Sequence, residues 1–432
     1  MQAGRTTITV LTVAAIGAAA FGGGVLFSRS LGGGYEAAPI PAGSARVEAP
    51  KPPVQPKSID IDGAVSAEQL EALTALGYLS GYVEATEAKG ITVHDADRAH
   101  AGLNVYSSGH APEAYLMDMD GAVSHTWRYA YEDMFGRKKP EGNIGDFWRR
   151  VHVFENGDAI GIFETLGIFK VEKDSKLLWA QHNAAHHDLF VHDDGSIYTL
   201  TQQSNTYDWF ADGLPVIDDF ITVMSPDGET LRRVSVLECL NNSPYSAILQ
   251  NEYKGGELLH TNAIKFLDGR HEATSPVFRR GNVMLSIREL GLVAIVDLEQ
   301  EAIVWALAGQ WYRQHEPTLL DNGNLLLFDN LGNAGMAKVL EVHPFTQEVA
   351  WTYGEAEGEA VKSPVCGSVL RFPNGNTLIN EACQGRALEV TPDNEVVWEF
   401  FSPHRPPKEH RLRAAFLEFT RLPADFEATW LH

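Results

Sequence analysis

Cysteine is scarce in this chain of 432 residues: Cys239, Cys366 and Cys383 are all there are, which leaves room for at most one internal bridge. Cys366 and Cys383 stand nine residues before and eight after Gly375, so paired strands could bring them face to face. A disulfide there would suit an exported protein, and two buried thiols fit the spacing equally well. Basic residues are also few. Against 57 Asp and Glu there are 34 Lys and Arg, a formal net charge of −23. That balance excludes a nucleic-acid partner, which needs a basic face, and an anionic substrate would need local cationic help. No Gly-x-Ser-x-Gly elbow, Walker loop or dinucleotide glycine motif occurs. His, Cys and carboxylates at short metal-ligand spacing are missing too, so no metal or other cofactor is expected.

Long apolar runs are limited to one. Thr6 to Phe27 is uncharged and bounded by Arg5 and Arg29, 22 residues that can span a bilayer as a helix. Residues 1–30 are therefore expected to be a transmembrane anchor, with a cleaved export signal near Ala18-Ala19-Ala20 as the alternative. Residues 31–65 form a Pro/Ala-rich spacer, and 66–101 a short helical lead-in built on the capped amphipathic pattern from Ser66 to Gly77. The remainder, 102–432, would then lie outside the cytoplasm, periplasmic or extracellular, tethered or secreted.

What the chain does have is repetition. Hairpin signals recur at Asn156-Gly157, Asp194-Gly195, Asn322-Gly323 and Asn374-Gly375, flanked by short apolar runs such as Leu325 to Phe328. A second phrase, a polar turn leading to a tryptophan strand, occurs as Val171 to Trp179, Val296 to Trp305, Val342 to Trp351 and Val390 to Trp398. Degenerate copies begin at Met117 and Met224. The six turn centres, Asp120, Asp174, Asp227, Glu299, Gln347 and Asn394, are separated by 54, 53, 72, 48 and 47 residues. Such steps are near the roughly 40–50 residues of a four-stranded propeller blade. The fold class is therefore all-β, a six-bladed β-propeller, with the long step marking an insertion around 240–280. Five inner hairpins are visible, at 149–163, 187–200, 261–287, 315–328 and 367–380. The sixth inner strand is expected from Arg413 to Leu422, closing the ring on N-terminal strands near 102–127.

His187 and His315 each stand eight residues before a hairpin glycine, which predicts equivalent positions on two inner strands. The same count puts Arg149, Gly367 and Thr261 at that level, with His260 one place earlier and Arg288 on the following strand. His186 should point to the opposite face by strand pleating. His152, His192 and His343 read as surface residues, and Arg288 beside Glu289 could also be a strand-face ion pair. Imidazoles and a guanidinium together suit transfer of a compact oxyanion such as a sulfuryl or phosphoryl group.

At this point the chain resembles the arylsulfotransferases, the propeller enzymes that use no adenosine-based sulfate donor. The resemblance runs from about Gly102 to Leu431. It is carried by Tyr115 to Trp127, His186-His187-Asp188, Leu259-His260-Thr261-Asn262, Ser286-Ile287-Arg288, Gln314-His315-Glu316 with Asp321 to Asn330, and the run from Arg413 to Pro423. It implies a ping-pong transfer from a phenolic sulfate ester to a phenolic acceptor through a sulfohistidine. By motif, His315 would be the nucleophile, Arg288 and His187 would bind the sulfuryl oxygens, and His260 would shuttle the proton. Two departures stand out: Glu316 follows the nucleophile where better known members have aspartate, and the N-terminal part is too short for their extra β-domain. The alternative is a membrane-tethered propeller that binds a ligand or protein partner without turnover.

Overall fold

The computed structural model describes residues 82–136, 138, 146–250, 256–406 and 410–431, and the expected anchor, spacer and Ser66 to Gly77 helix lie outside them. Among the described residues no helix is long and apolar enough to cross a membrane.

Six antiparallel sheets of four or five strands follow one another along the chain. Blade 1 takes Asn104–Ser108, Glu113–Met117 and Val123–Arg128, and its innermost strand is the C-terminal Phe416–Arg421, hydrogen-bonded to Asn104–Ser108. Blades 2 to 5 begin with the inner strands Arg150–Val153, Ala185–Val191, Thr261–Phe266 and His315–Leu319. Blade 6 begins with Ser368–Arg371 and gains a fifth, outer strand from Gly90–His94, which pairs with Val396–Phe401. The chain from Tyr82 onward is thus extended where a helical lead-in was expected, and the propeller starts earlier than residue 102. A five-residue strand with no turn of its own carries too little pattern to announce its sheet. The insertion is the helix Val236–Asn241, the 3₁₀ turn Ser246–Gln250 and the two-residue strand Gly256–Glu257, which lies parallel to Val216 and Ile217.

Burial follows from strand alternation. Successive side chains leave a strand on opposite faces, and in a propeller both faces of a blade meet a neighbour. Runs such as Leu325 to Phe328 are therefore apolar at every position: Leu325 and Leu327 join the core shared with blade 4, Leu326 and Phe328 the one shared with blade 6. One apolar cluster fills each of the six seams, including that between blades 6 and 1. The repeated tryptophan has a matching explanation. In four blades its indole N–H donates to a turn carbonyl of the next blade: Trp127 to Gly157 (2.8 Å), Trp179 to Pro226 (3.0 Å), Trp351 to Pro392 (3.0 Å) and Trp398 to Met119 (2.9 Å).

Where the inner strands meet, five blades contribute one charge each. Arg150 binds Asp188 (2.7 Å), Glu418 (2.8 Å) and Glu316, while Lys265 binds Glu316 (2.7 Å) and Asp188 (3.3 Å). Burial opposes ionisation of Glu316, but Arg150 and Lys265 more than offset it and hold the carboxyl down at about 2. This accounts for the glutamate after the candidate nucleophile. Its longer side chain joins an ionic plug that ties the inner strands together.

Candidate functional site

The histidine-bearing ends of the inner strands are not regular β-structure. Pairing slips between His186 and Leu189, between Thr261 and Ala263, and between His315 and Thr318. The backbone is left-handed at Ala184 and His187 (φ 55° and 53°), at His260 (47°), and at Arg313 and Glu316 (59° and 50°). Such angles cost a residue with a side chain on the order of 1–3 kcal/mol, and they concentrate at functional sites. A bulge of this kind turns the following side chain out of the pleat.

The bulges correct the glycine count by one residue. His186 pairs with Leu200 as His315 pairs with Phe328, and His187 and Glu316 occupy the left-handed positions that follow. Blade 3 carries an extra bulge residue, so His315 corresponds to His186 and not to His187. The expectation that His186 faces away from its neighbour also fails. With His187 left-handed, both rings turn inward and their Nδ1 atoms stand 2.9 Å apart.

His315 is the best-defined member of the site. Its Nδ1 lies 2.7 Å from Asn330 Oδ1 and 3.2 Å from the Arg313 carbonyl, two acceptors, so Nδ1 carries the proton. The Asn330 amide cannot turn over, because its Nδ2 donates to the carbonyls of Ser363 (2.6 Å) and Cys366 (2.9 Å). The lone pair is thereby assigned to Nε2, which is buried without a hydrogen-bond partner. Burial lowers the basicity of this ring most, and Arg149, Arg288 and His260 add to the effect, bringing its pKa to about 3 while Asn330 opposes the shift. The imidazole is neutral and nucleophilic at any ordinary pH.

Around it stand two arginines and two imidazoles, each already beside a carboxylate. Arg149 Nε lies 3.3 Å from Glu164 and His187 Nδ1 lies 3.1 Å from the same side chain. His260 Nδ1 is 2.8 Å from Glu257 of the inserted strand, and its ring is 4.7 Å from that of His187. Arg288 Nε donates to Glu289 (2.9 Å), whose other oxygen is 3.4 Å from Arg313. Burial, reinforced by His260 and Arg149, pushes His187 well below the usual imidazole range. Burial also opposes protonation of His186, but Asp219 at 3.4 Å more than offsets this and raises it. Imidazoles and guanidiniums converging in this way, each held in place by a carboxylate, are a donor set suited to a small tetrahedral anion.

The structure thus gathers His187, His260, Arg288 and His315, with Arg149 from the same aligned level. Arg288 makes the ion pair with Glu289 and faces the site as well. His186, Glu164 and Asn330 are additions that no repeat signal marks. Glu164 directly follows the second strand Ala159–Phe163 and Asn330 lies within the second strand Leu325–Asn333, past the apolar run that marks the hairpin. His152, His192 and His343 are half-buried rather than on the surface, and lie away from the cluster. The three cysteines are free thiols, Cys383 buried and Cys366 half-buried.

Two measurements follow from this geometry. Asn330→Leu removes the acceptor that fixes the His315 tautomer. It should lower kcat about 10²-fold with little change in KM. Nitrogen-15 spectra of the ring should show Nδ1 and Nε2 sharing the proton, and an unaltered tautomer with full kcat would show Asn330 to be a packing residue only. The second concerns pH. His315 is held at about 3, and His152 and His404 at about 4, chiefly by burial. Unfolded imidazole titrates near 6.5, so below that pH the unfolded chain takes up more protons and the fold loses stability. These groups act fully above about 6.5 and their contribution falls away toward 4; His186 and the buried carboxyls that burial raises, Asp218 chief among them at about 6, act in the opposite sense but are outnumbered by the depressed rings. The melting temperature should be flat from pH 8 to 7 and drop by at least about 2–4 °C by pH 4.5; a rise over that window would contradict the burial of these rings.

A family model described as Arylsulfotransferase (ASST) matches residues 166–402, more than half of the chain, and takes in His187, His260, Arg288 and His315. The chain belongs to the arylsulfotransferase family. Membership points to arylsulfotransferase activity on phenolic substrates in general, and the pocket of arginines and histidines described above lies within the matched region apart from Arg149 and Glu164. Nothing among the curated proteins matches the chain. Among solved structures, a protein of unknown function from Bacteroides caccae is 10% identical, with 73% of this chain and 99% of that one covered and a TM-score of 0.45. A streptogramin B lyase is 12% identical, with 79% and 94% covered and a TM-score of 0.42. A virginiamycin B lyase from Staphylococcus aureus is 12% identical, with 60% and 70% covered and a TM-score of 0.36.

Proposed function

We propose that this arylsulfotransferase moves a sulfuryl group from a phenolic sulfate ester to a phenolic acceptor through a covalent sulfohistidine at His315. The observation that carries the reading is the buried, unpartnered Nε2 of His315, whose lone pair is fixed by the Asn330 contact to Nδ1. In the first half-reaction Nε2 attacks sulfur, the bond from sulfur to the aryl oxygen breaks, and the departing phenolate takes a proton from His260. Arg288 and Arg149 neutralise the sulfuryl oxygens as charge builds on them, with the His187 ring binding beside them. In the second, His260 takes the proton of the acceptor phenol, its oxygen attacks sulfur, and the S–N electrons return to Nε2. A neutral His315 is what the first step requires, and the arginines that stabilise the oxyanions are among the charges that keep it neutral.

The same reading takes the C-terminal strand as the closure of the ring and the Thr6 to Phe27 segment as the anchor that holds the propeller outside the cytoplasm. The test is incubation of the chain with an aryl sulfate, with and without a second phenol. Acceptor-dependent release of the donor phenol and formation of the new sulfate ester are expected. Absence of both across a panel of donors would leave a propeller that binds without turnover.

A further inference from the structure

We infer that Glu164, His186 and His187 form a binding site for one divalent transition-metal ion of the zinc class, at the edge of the His315 pocket. One ligand atom from each of the three lies within 4.8 Å of the other two. The two Nδ1 atoms are 2.9 Å apart, and Glu164 Oε1 is 3.1 Å from His187 Nδ1. Donors around a tetrahedral zinc at about 2.0–2.2 Å stand roughly 3.3–3.5 Å from one another, so these two separations need to widen by only a few tenths of an ångström. In a regular strand these consecutive rings would lie on opposite faces; the left-handed turn at His187 (φ 53°) brings both to one point.

The surroundings of His186 support this assignment. Its Nε2 is buried and faces Asp219 Oδ1 at 3.4 Å, and Asp219 Oδ2 accepts from the Thr261 backbone N–H at 2.6 Å. A carboxylate held in place behind an imidazole favours the tautomer with its proton on Nε2 and leaves Nδ1 as a lone pair, the arrangement that orients metal-ligating histidines. Two imidazoles and one carboxylate select zinc, cobalt or nickel over magnesium and calcium, which prefer all-oxygen shells. The side chains of His187 and Glu164 are 12% and 26% exposed, enough to leave a fourth position for water or an anion. Glu164 also pairs with Arg149 at 3.3 Å, so a bound ion would draw the carboxylate away and free that guanidinium. Neither His315 nor Arg288 is a ligand, whereas His187 is shared with the proposed sulfuryl site, so metal binding is read separately from transfer.

Cobalt(II) titrated into the full chain tests it. One equivalent should bind with the strong visible absorption of a four- or five-coordinate ion and be displaced by zinc. Glu164→Gln, which is nearly isosteric, and His186→Asn should weaken binding by at least about 100-fold, and Asp219→Asn by about 10-fold, with His315→Ala unchanged. No visible band and no heat of binding in the natural chain would overturn the site, as would unaltered affinity in Glu164→Gln. Loss of sulfuryl transfer with cobalt binding intact would count against the transfer mechanism alone.

Discussion

His315→Ala should abolish both half-reactions, lowering acceptor-dependent turnover by at least about 10⁴-fold, because no other group in the pocket can replace the attacking atom. His186 is buried and engaged with Asp219 and His187, and His260 has Glu257 beside its Nδ1. The His315 ring presents a neutral, buried nitrogen without a hydrogen-bond partner, its tautomer fixed from behind by Asn330. Removing the ring leaves Asn330 anchored by its two backbone acceptors, so the fold should survive and folded protein should be recovered. Binding of the aryl sulfate should persist within a few-fold, measured by calorimetry, while the burst of donor phenol disappears. A variant that kept near-normal turnover would remove His315 from the mechanism.

Arg288→Lys should lower kcat/KM by about 10²–10³-fold although the charge is kept. In the present geometry Arg288 Nε is committed to Glu289 at 2.9 Å. The planar guanidinium can hold that carboxylate and still offer further N–H groups to the sulfuryl oxygens. A lysine ammonium that pairs with Glu289 is withdrawn from the site, and one that reaches the sulfuryl group leaves the half-buried glutamate with Arg313 at 3.4 Å. The loss should appear mainly in kcat, since the oxygens gain charge in the transition state. Equal activity in the two forms would reduce Arg288 to a partner for Glu289.

The parts of this molecule that were legible in its sequence are those set by neighbours in the chain. Asn-Gly and Asp-Gly turns, apolar runs and the tryptophan strand each report a local geometry, and their spacing gave the six blades. Positions fixed by pairing across strands were not legible. A bulge is visible only when both strands are aligned, so His186-His187 read as an ordinary pleat and the register came out one residue off. Asn330, past the apolar run of its strand, and Glu164, just after its own, carry no repeat of their own. Their importance lies in what they touch. Glu316 looked like a departure from a familiar motif, and its reason lies in Arg150 and Lys265, distant in sequence and joined to it at the centre of the inner strands.

The central claim is a covalent intermediate on one nitrogen, and peptide mass mapping tests it directly. The chain, mixed with an aryl sulfate alone, quenched without acid and digested, should carry a single acid-labile sulfuryl group on the peptide containing His315, lost when a phenol is added before quenching. Turnover with no such adduct, or an adduct on a different residue that the phenol discharges, would contradict the account.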